Sequence, residues 1–350
     1  MRIVKFLPLL SLGIALTATS CSQNATTGGE EMRQTDSISW NILTESDVLP
    51  LPFGITVNDS VMSVLGLFDD CWLHNFDLAT GGHCGDYIFM GQGPGEIVNA
   101  TGIGKVSDST VFVFDPNTSK LHFYDTESYD ETECYSFIDS GQVTWQAWGL
   151  PRKRGLVLRP SVMDDGSTLR CFAITDLTTM EELSVFDKVQ DDFIDEPEIL
   201  KMQSELSVSP DGKHFVSATI IGGALELFNI ENDRIIPAYS KLLYPLEFVN
   251  KNGIKQPDPN PTYGFTSVCA TDSLVFAAFA GSKNNKDADK VAIWGWDGDC
   301  KGFIKTDRLI LKLAVSKDLS TAYAIVYGED IGLAIATMKR PHIEADINRP

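Results

Sequence analysis

Short runs of alternating apolar and polar residues recur along most of the chain, and turn-forming residues separate them. The runs are rich in Val, Ile, Phe, Tyr, Trp and Thr, while Asp, Asn, Ser and Gly occupy the gaps. Alternation with a period of two places successive side chains on opposite faces of a strand, and few segments have a helical period. The pattern predicts an all-β domain.

The strands are arranged in six repeating units. In each unit a turn precedes an apolar strand, and a second turn and a second strand follow. The first turns fall at residues 59, 108, 154, 211, 272 and 318, with spacings of 49, 46, 57, 61 and 46 residues. Long repeats of antiparallel strands are typical of propeller blades, which bury their faces by stacking on neighbours. The sequence therefore predicts one six-bladed β-propeller over residues 37–350.

Inner and outer strands can be assigned within the units. The inner strands are predicted at 53–58, 101–106, 145–150, 204–209, 265–271 and 309–316. The outer strands are predicted at 86–91, 131–138, 181–188, 234–243 and 301–307. The sixth unit lacks an outer strand, so we expect the spare N-terminal strand at 37–44 to complete the last blade and close the ring. Long connections remain at 189–202 and 244–264, and we expect surface loops there.

The N-terminus has the order of an export signal peptide. Arg2 and Lys5 precede an apolar stretch at 6–16, which small residues and then Cys21 follow. This stretch is too short to span a membrane as a helix. Residues 18–21, Ala-Thr-Ser-Cys, resemble the bacterial lipobox, which implies removal of residues 1–20 and acylation of Cys21. The alternative is ordinary cleavage in the same region, which would leave Cys21 as a free thiol.

A lipid on Cys21 would hold the protein on a membrane of the cell envelope. Residues 21–36 are polar and contain a Gly-Gly pair, so we expect a flexible tether there. Ring closure by residues 37–44 would place the lipid beside blade 6. Ser22, and the lack of an acidic run after Cys21, favour the outer membrane and its periplasmic side, with surface display as the alternative.

Charge and cysteine content narrow the classes of partner. Removal of Arg2 and Lys5 with the signal peptide lowers the net charge from −20 to −22, so nucleic acid and anionic headgroups are poor partners. We therefore expect contact with the membrane through the lipid alone. Six cysteines follow Cys21, and no CxxC pair occurs, so we expect mostly buried and unpaired thiols.

A glycine-rich segment between blades 1 and 2 carries a family resemblance. Residues 89–97, FMGQGPGEI, resemble the GxGPGEF motif of the TolB-like six-bladed propeller lipoproteins of Gram-negative bacteria, which are related to NHL-repeat propellers. Residues 111–125, 209–215, 261–268 and 292–300 are similar to the same family. The resemblance implies a six-bladed fold and an exported lipoprotein, and it implies no catalytic residues.

The glycines of this segment have a structural explanation. Gly91, Gly93 and Gly95 permit a positive φ and close backbone approach at a tight crossover, and Pro94 stiffens it. The segment opens no helix, which excludes a dinucleotide site. We expect Glu96 to cap the N–H groups of its own loop, with contact to a ligand as the alternative.

No reaction centre is recognisable in the sequence. The histidines form no HExxH pair, and His74 and His122 occupy similar places in two blades, which favours a structural role. Six-bladed enzymes of the lactonase type hold a metal with side chains of the inner strands, where Glu205 is the only predicted carboxylate. One carboxylate cannot satisfy Ca²⁺. We predict no metal, cofactor or catalytic residue, and a lactonase-like or glycan-processing hydrolase remains the alternative function.

The sequence favours a monomeric binding or scaffolding module of the cell envelope. The connections before the inner strands, and those between the second and third strands, share one face of the ring. Aromatic side chains beside polar groups suit a protein, peptide or glycan partner, and packing of the tryptophans between blades is the alternative. The candidate partner residues on this face are Glu96, Asp164, Asp165, Lys286, Asp287, Glu329 and Asp330, with Trp145 and Trp148 near the channel.

Overall fold

β-Strands make up almost all of the regular structure in the computed structural model of the chain. A one-turn 3₁₀ helix covers Asn285–Asp287. In the part of the chain that is described, no helix has the length and apolar character of a membrane span. The structure describes residues 32–45, 49–58, 60–138, 141, 143–162, 168–186, 203–251, 254–327 and 333–339.

Six antiparallel sheets form the six blades that the sequence predicts. From the inner to the outer edge, blade 1 consists of β3 (Gly54–Asn58), β4 (Val61–Phe68), β5 (Cys71–Asp77) and β6 (His83–Phe89). Blade 2 consists of β7 (Gly102–Ser107), β8 (Thr110–Asp115), β9 (Lys120–Asp125) and β10 (Glu131–Ser136). Blade 3 consists of β11 (Gln146–Leu150), β12 (Arg154–Val162), β13 (Thr168–Asp176) and β14 (Glu181–Phe186).

The second half of the ring repeats this order. Blade 4 consists of β15 (Ser204–Val208), β16 (His214–Thr219), β17 (Ala224–Glu231) and β18 (Arg234–Leu242). Blade 5 consists of β21 (Tyr263–Ala270), β22 (Leu274–Ser282), β23 (Lys290–Gly295) and β24 (Cys300–Thr306), with β1 (Gln34–Ile38) outside β24. Blade 6 consists of β25 (Ile310–Val315), β26 (Thr321–Tyr327), β27 (Leu333–Lys339) and β2 (Asn41–Glu45).

The central strands are buried on both faces because each blade stacks between two others. In β9, Leu121 and Phe123 pack into a cluster shared with blades 3 and 4. Tyr124, on the opposite face of the same strand, packs into a cluster shared with blade 1. Burial on both faces explains why strands such as β8 consist almost entirely of apolar residues.

The N-terminal strand closes the ring as predicted. β2 pairs with β27 in antiparallel register, with Asn41 opposite Thr337 and Ile42 opposite Ala336. Trp40, immediately before β2, is 5% exposed and packs between blades 5 and 6. The last blade therefore combines strands from the two ends of the chain.

The strand before Trp40 was not predicted, and it changes the expected path of the tether. β1 pairs in parallel with β24 of blade 5, with Ser37 opposite Lys305 and Ile38 opposite Thr306. The predicted tether at 21–36 therefore ends before Gln34, and residues 21–31 lie outside the described part. The described chain therefore first meets the ring at blade 5 rather than blade 6. Cys21 lies outside the described residues, and its acylation stays a prediction.

The two long connections and the cysteines have separate outcomes. The connection at 244–264 contains a hairpin of β19 (Phe248–Lys251) and β20 (Ile254–Pro257), which the sequence did not indicate. The connection at 189–202 lies entirely outside the described residues.

The six described cysteines form no disulfide bonds with one another. Cys71 and Cys171 are buried, whereas Cys84 and Cys134 are exposed, contrary to the expected burial.

Candidate functional site

Strand order defines two faces of the ring. Because the strands of a blade alternate in direction, the connections between blades and the turns between second and third strands lie at the same end. We name this end the upper face and the opposite end the lower face. The upper face includes the 91–96 loop, the one-turn helix Asn285–Asp287 and the connection between β10 and β11.

Exposed apolar side chains are concentrated on the upper face. Twelve large apolar residues of the described chain are exposed, and nine of them lie at this end of the ring. The other three lie on outer strands: Leu183 and Val185 on β14, and Ile236 on β18. We name the following nine residues the apolar arc: Leu51, Phe53, Leu67, Phe89, Met90, Ile138, Val143, Trp145 and Tyr327.

The apolar arc follows consecutive blades rather than the whole ring. Its members belong to blades 6, 1, 2 and 3, and to the connections between them. Phe53 is 44% exposed, and its ring lies 6.4 Å from that of Trp72. Solvent-exposed apolar side chains that share one region of a surface are typical of a site that another molecule covers. The arc was not predicted from the sequence, although the apolar residues in connecting segments such as 50–53 and 138–145 indicate it.

A polar cavity of about 440 Å³ lies at the upper end of the central channel. Inner strands of all six blades line it, and the first residues of β3, β7, β11 and β15 are among the lining residues. Glu205 of blade 4 and Lys312 of blade 6 form an ion pair there, with 2.5 Å between Oε2 and Nζ. The one carboxylate that the sequence placed on the inner strands is therefore bound to an ammonium group.

The two predicted channel tryptophans have different surroundings. Trp148 lines the channel cavity, is 7% exposed and packs in the core that blades 2, 3 and 4 share. Trp145 is 40% exposed, and its backbone N–H donates to the carbonyl of Leu158 at 2.9 Å. Trp148 therefore packs between blades, whereas the exposed side chain of Trp145 can contact a partner.

The 91–96 loop is organised around Glu96. Its Oε2 accepts a hydrogen bond from the backbone N–H of Gly93 at 2.8 Å, which is the loop-capping role expected from the sequence. A Cβ at Gly91 would lie 1.9 Å from Oε2 of Glu96, so a larger residue at this position would displace the Glu96 carboxyl from its present place. Of the three glycines only Gly95 has a positive φ, of 76°, which corrects the expectation for Gly91 and Gly93.

Two of the remaining candidate residues lie in the described part of the chain, and four do not. Lys286 is exposed in the one-turn helix of blade 5. Asp287 accepts hydrogen bonds from Ser282 at 2.7 Å and Asn284 at 2.9 Å, which stabilise its own turn. Four predicted residues lie outside the described part of the chain: Asp164, Asp165, Glu329 and Asp330.

Two groups of metal-ligating side chains occur in blades 1 and 2. Cys71, His74 and Asp86 form the first group, and the potential ligand atoms lie within 4.8 Å of one another. Burial acts to raise the pKa of Asp86, but hydrogen bonds from His74 and His83 lower it below its ordinary value. In this group the histidine is therefore held by a carboxylate that stays ionised.

The second group, in blade 2, consists of His122, Glu131 and Cys134, again with potential ligand atoms within 4.8 Å. Although the residue as a whole is exposed, desolvation of its sulfur and the negative charge of Glu131 raise the pKa of the Cys134 thiol to about 11. All three residues line a cavity of about 730 Å³ beneath the 91–96 loop. The sequence assigned His122 a structural role and did not bring these three residues together.

Solved structures share the fold of this chain at low sequence identity. A candidate exported protein of Bacteroides fragilis matches with a TM-score of 0.54 and 12% identity, over 88% of this chain and 97% of that chain. U3-55K matches with a TM-score of 0.49 and 13% identity, over 87% and 99%. Hydrazine synthase of Kuenenia stuttgartiensis matches with a TM-score of 0.47 and 13% identity, over 85% and 97%. The search of curated proteins found no match.

Family membership rests on the sequence itself. Residues 39–318 match the profile of the family described as TolB-like 6-blade propeller-like. The matched region begins just before β2 and extends into the turn that follows the inner strand of blade 6. The chain therefore belongs to the TolB-like six-bladed β-propeller family.

Proposed function

We propose that the protein is an exported lipoprotein whose propeller binds a protein partner of the cell envelope on its upper face. The observation that supports this function is the apolar arc, because nine of the twelve large apolar side chains that are exposed in the described part of the chain lie at one end of the ring. The resemblance to a candidate exported protein agrees with an envelope location. The strong negative charge makes nucleic acid an unfavourable partner.

The chemistry of the arc favours a protein or peptide over a glycan. Phe89 and Met90 are 56% and 43% exposed at the edge of blade 1, and Trp145 presents an indole ring near blade 3. Aromatic residues and methionine are enriched at protein interfaces, where burial of their apolar surface contributes most of the affinity. The channel cavity beside Phe53 supplies amide and hydroxyl groups that could fix the orientation of an inserted side chain.

A capture experiment with matched variants tests this function. The mature chain, immobilised through its C-terminus, is incubated with detergent extract of the cell envelope, and retained proteins are identified by mass spectrometry. We expect Phe89→Ser combined with Met90→Ser to abolish retention of the specific partner. Leu183→Ser combined with Val185→Ser removes equally exposed apolar groups from the outer strand β14 and should leave retention unchanged.

The outcomes of the capture experiment discriminate between the alternatives. Equal retention by both double variants would show that the upper face is not the binding surface. Retention that survives protease treatment of the extract, but not glycosidase treatment, would assign the face to a glycan instead. Circular dichroism of each variant confirms that the fold is unchanged.

We further propose that acylation of Cys21 anchors the protein to the outer membrane, with the periplasmic side as the expected location. Cys21 lies outside the described residues, and β1 joins the rim of blade 5, so the tether of residues 22–33 would leave the upper face accessible. Two or more acyl chains make such an anchor stable, because each buried CH₂ contributes about 0.8 kcal/mol.

Membrane fractionation tests the anchor separately from partner binding. We expect the wild-type chain to sediment with outer membranes and Cys21→Ala to appear in the soluble fraction or to retain its signal peptide. A Cys21→Ala chain that is processed and still sediments with membranes would refute the anchor. Protease accessibility in intact cells separates the periplasmic location from surface display.

A further inference from the structure

His74 and His122 occupy equivalent positions in consecutive blades. His74 lies on β5 opposite Val64, and His122 lies on β9 opposite Val113. Both are third strands, and both histidines are buried, with exposures of 1% and 5%. Blades 1 and 2 therefore have an imidazole at the same position of the third strand, and the surroundings of the two histidines can be compared directly.

The outer strands give the two histidines different partners. Asp86 is the register partner of His74 on β6, whereas Cys134 is the register partner of His122 on β10. Three residues earlier on these outer strands, blade 1 has His83 and blade 2 has Glu131. The set of a carboxylate and two imidazoles in blade 1 is thus replaced by a carboxylate, an imidazole and a thiol in blade 2.

In blade 1 the hydrogen-bonding capacity of the imidazole is used up. Nδ1 of His74 lies 2.6 Å from Oδ1 of Asp86, and the same oxygen lies 2.7 Å from Nε2 of His83. Nε2 of His74 lies 3.2 Å from the carbonyl of Gly66 and 3.1 Å from that of Cys71. The blade 1 histidine is consequently a structural group with both ring nitrogens occupied.

In blade 2 the imidazole keeps one nitrogen without a partner. Nδ1 of His122 lies 2.6 Å from Oε1 of Glu131, but Nε2 is buried and has no hydrogen-bond partner. No contact fixes the tautomer from the Nε2 side, so the ring proton can lie on Nε2 and leave the lone pair of Nδ1 facing Glu131. An ion held between His122 and Glu131 would therefore bind Nδ1, in place of the present hydrogen bond.

The cavity beside His122 is large enough to admit an ion. His122, Glu131 and Cys134 all line the 730 Å³ cavity, and their potential ligand atoms lie within 4.8 Å of one another. Cys134 is exposed, so the cavity communicates with solvent at the thiol. The backbone of residues 91–96 covers another side of the cavity.

We propose that His122, Glu131 and Cys134 form a binding site for a divalent transition-metal ion of the Zn²⁺ type. Sulfur and imidazole ligands favour such ions over Mg²⁺ and Ca²⁺, which prefer oxygen ligands only. Binding replaces the thiol proton of Cys134 by the ion and releases that proton to solvent. Three protein ligands leave a coordination position for water or a further ligand, as in open zinc sites.

Metal titration of the mature chain tests the site. The chain is purified without a histidine tag, stripped with a chelator and dialysed against Zn²⁺, and bound metal is measured by elemental mass spectrometry. We expect one equivalent of tightly bound Zn²⁺ per chain. Co²⁺ in place of Zn²⁺ should give the charge-transfer absorption of a thiolate–Co²⁺ bond, which reports Cys134 directly.

Variants locate the ion and make the proposal falsifiable. Cys134→Ser and His122→Gln should lose the tight equivalent, and Glu131→Gln should weaken it by about tenfold or more because a neutral amide oxygen replaces the charged ligand. Cys84→Ser, which removes the other exposed thiol, should bind Zn²⁺ as the wild type does. Absence of a tight equivalent in the wild type, or its persistence in a folded Cys134→Ser chain, would overturn the proposal. Because Cys134 is exposed, the serine variant is expected to fold, which circular dichroism verifies.

Discussion

Lys312 reaches across the central channel to Glu205, with 2.5 Å between its Nζ and Oε2 of the carboxylate. The pair joins the inner strand of blade 6 to that of blade 4, and the two side chains are 13% and 24% exposed. A carboxylate and an ammonium group at this distance attract each other, and the contact fixes the position of both side chains. The upper end of the channel thus has a fixed pair of charges where metal-dependent six-bladed enzymes would need several oxygen ligands.

The first prediction concerns this pair. Lys312→Met removes the ammonium group and leaves the partly buried Glu205 carboxylate without its partner. We expect the free energy of unfolding to fall by about 1–3 kcal/mol, less than for a fully buried pair because solvent still reaches both groups. Urea denaturation followed by tryptophan fluorescence measures the change.

A surface ion pair provides the control for Lys312. Lys317 lies 3.3 Å from Asp108, and the two side chains are 79% and 74% exposed. Lys317→Met should change the free energy of unfolding by less than about 1 kcal/mol. Equal losses in the two lysine variants would show that the channel pair has no special contribution.

The second prediction concerns ring closure. Trp40 packs between blades 5 and 6, and its backbone N–H donates to Oδ1 of Asp307 at 3.0 Å. Trp40→Ala opens a cavity beside the closing strand and should destabilise the chain by about 3–5 kcal/mol. Trp145→Ala removes the same side chain from an exposed position and should cost much less. A Trp40→Ala chain with the wild-type urea midpoint would contradict a stabilising role for closure.

Most strands could be predicted from the sequence because each is a short apolar run bordered by turn residues. The segment from Thr110 to Asp115 has four successive apolar residues and follows the predicted turn at 108, so an apolar strand was expected where β8 lies. β1 was missed because its pairing with β24 connects residues about 270 positions apart, as in Gln34 opposite Phe303. Its mostly polar side chains give no periodic signal, and it is held at the edge by backbone hydrogen bonds, by a hydrogen bond from the Thr35 hydroxyl to the Phe303 carbonyl and by packing of Ile38.

The candidate sites were less predictable for a different physical reason. Strand order alone placed Trp145 and Lys286 on the upper face, but it could not show which apolar loop residues remain uncovered after packing. The blade 2 cluster depends on register, because the irregular pairing between Glu131 and Glu133 brings Glu131 to His122. A shift of one residue would have turned these side chains to the opposite face of the blade.

The third prediction concerns a buried ion pair between blades 3 and 4. Nη2 of Arg170 lies 3.5 Å from Oε2 of Glu226, and the two side chains are 3% and 0% exposed. Nη1 of Arg170 also donates to Oγ of Ser217 at 3.1 Å. Glu226→Ala leaves a buried guanidinium without its carboxylate and should destabilise the chain by about 3–5 kcal/mol.

A double variant separates the cost of the unpaired charge from the cost of lost packing. Arg170→Met combined with Glu226→Met removes both charges and fills much of the volume, so it should recover most of the lost stability. Thermal unfolding of the wild type, the single variant and the double variant measures the coupling. If the double variant were no more stable than Glu226→Ala, lost packing rather than the unpaired charge would explain the cost.

The fourth prediction concerns acid stability and the aspartates that cap the turns. Hydrogen bonds from the Ser316 hydroxyl, and from the backbone and hydroxyl of Ser320, lower the pKa of Asp318 from 3.8 to about 2. A carboxyl whose pKa is lower in the folded state contributes stability above its unfolded pKa, and this contribution disappears as the pH falls through the folded pKa. Asp77 and Asp125 have lowered pKa values for the same reason, through Thr80 and Ser128.

We therefore expect the urea midpoint to fall steeply between about pH 4 and pH 2. Asp318→Asn keeps an acceptor oxygen but cannot ionise, so it should be less stable than the wild type at pH 7 and equal to it near pH 2. Equilibrium urea curves at intervals of pH measure both chains under identical conditions. A stability difference between the two chains that stayed constant from pH 7 to pH 2 would contradict the titration of Asp318, because only a neutral hydrogen bond would then have been changed.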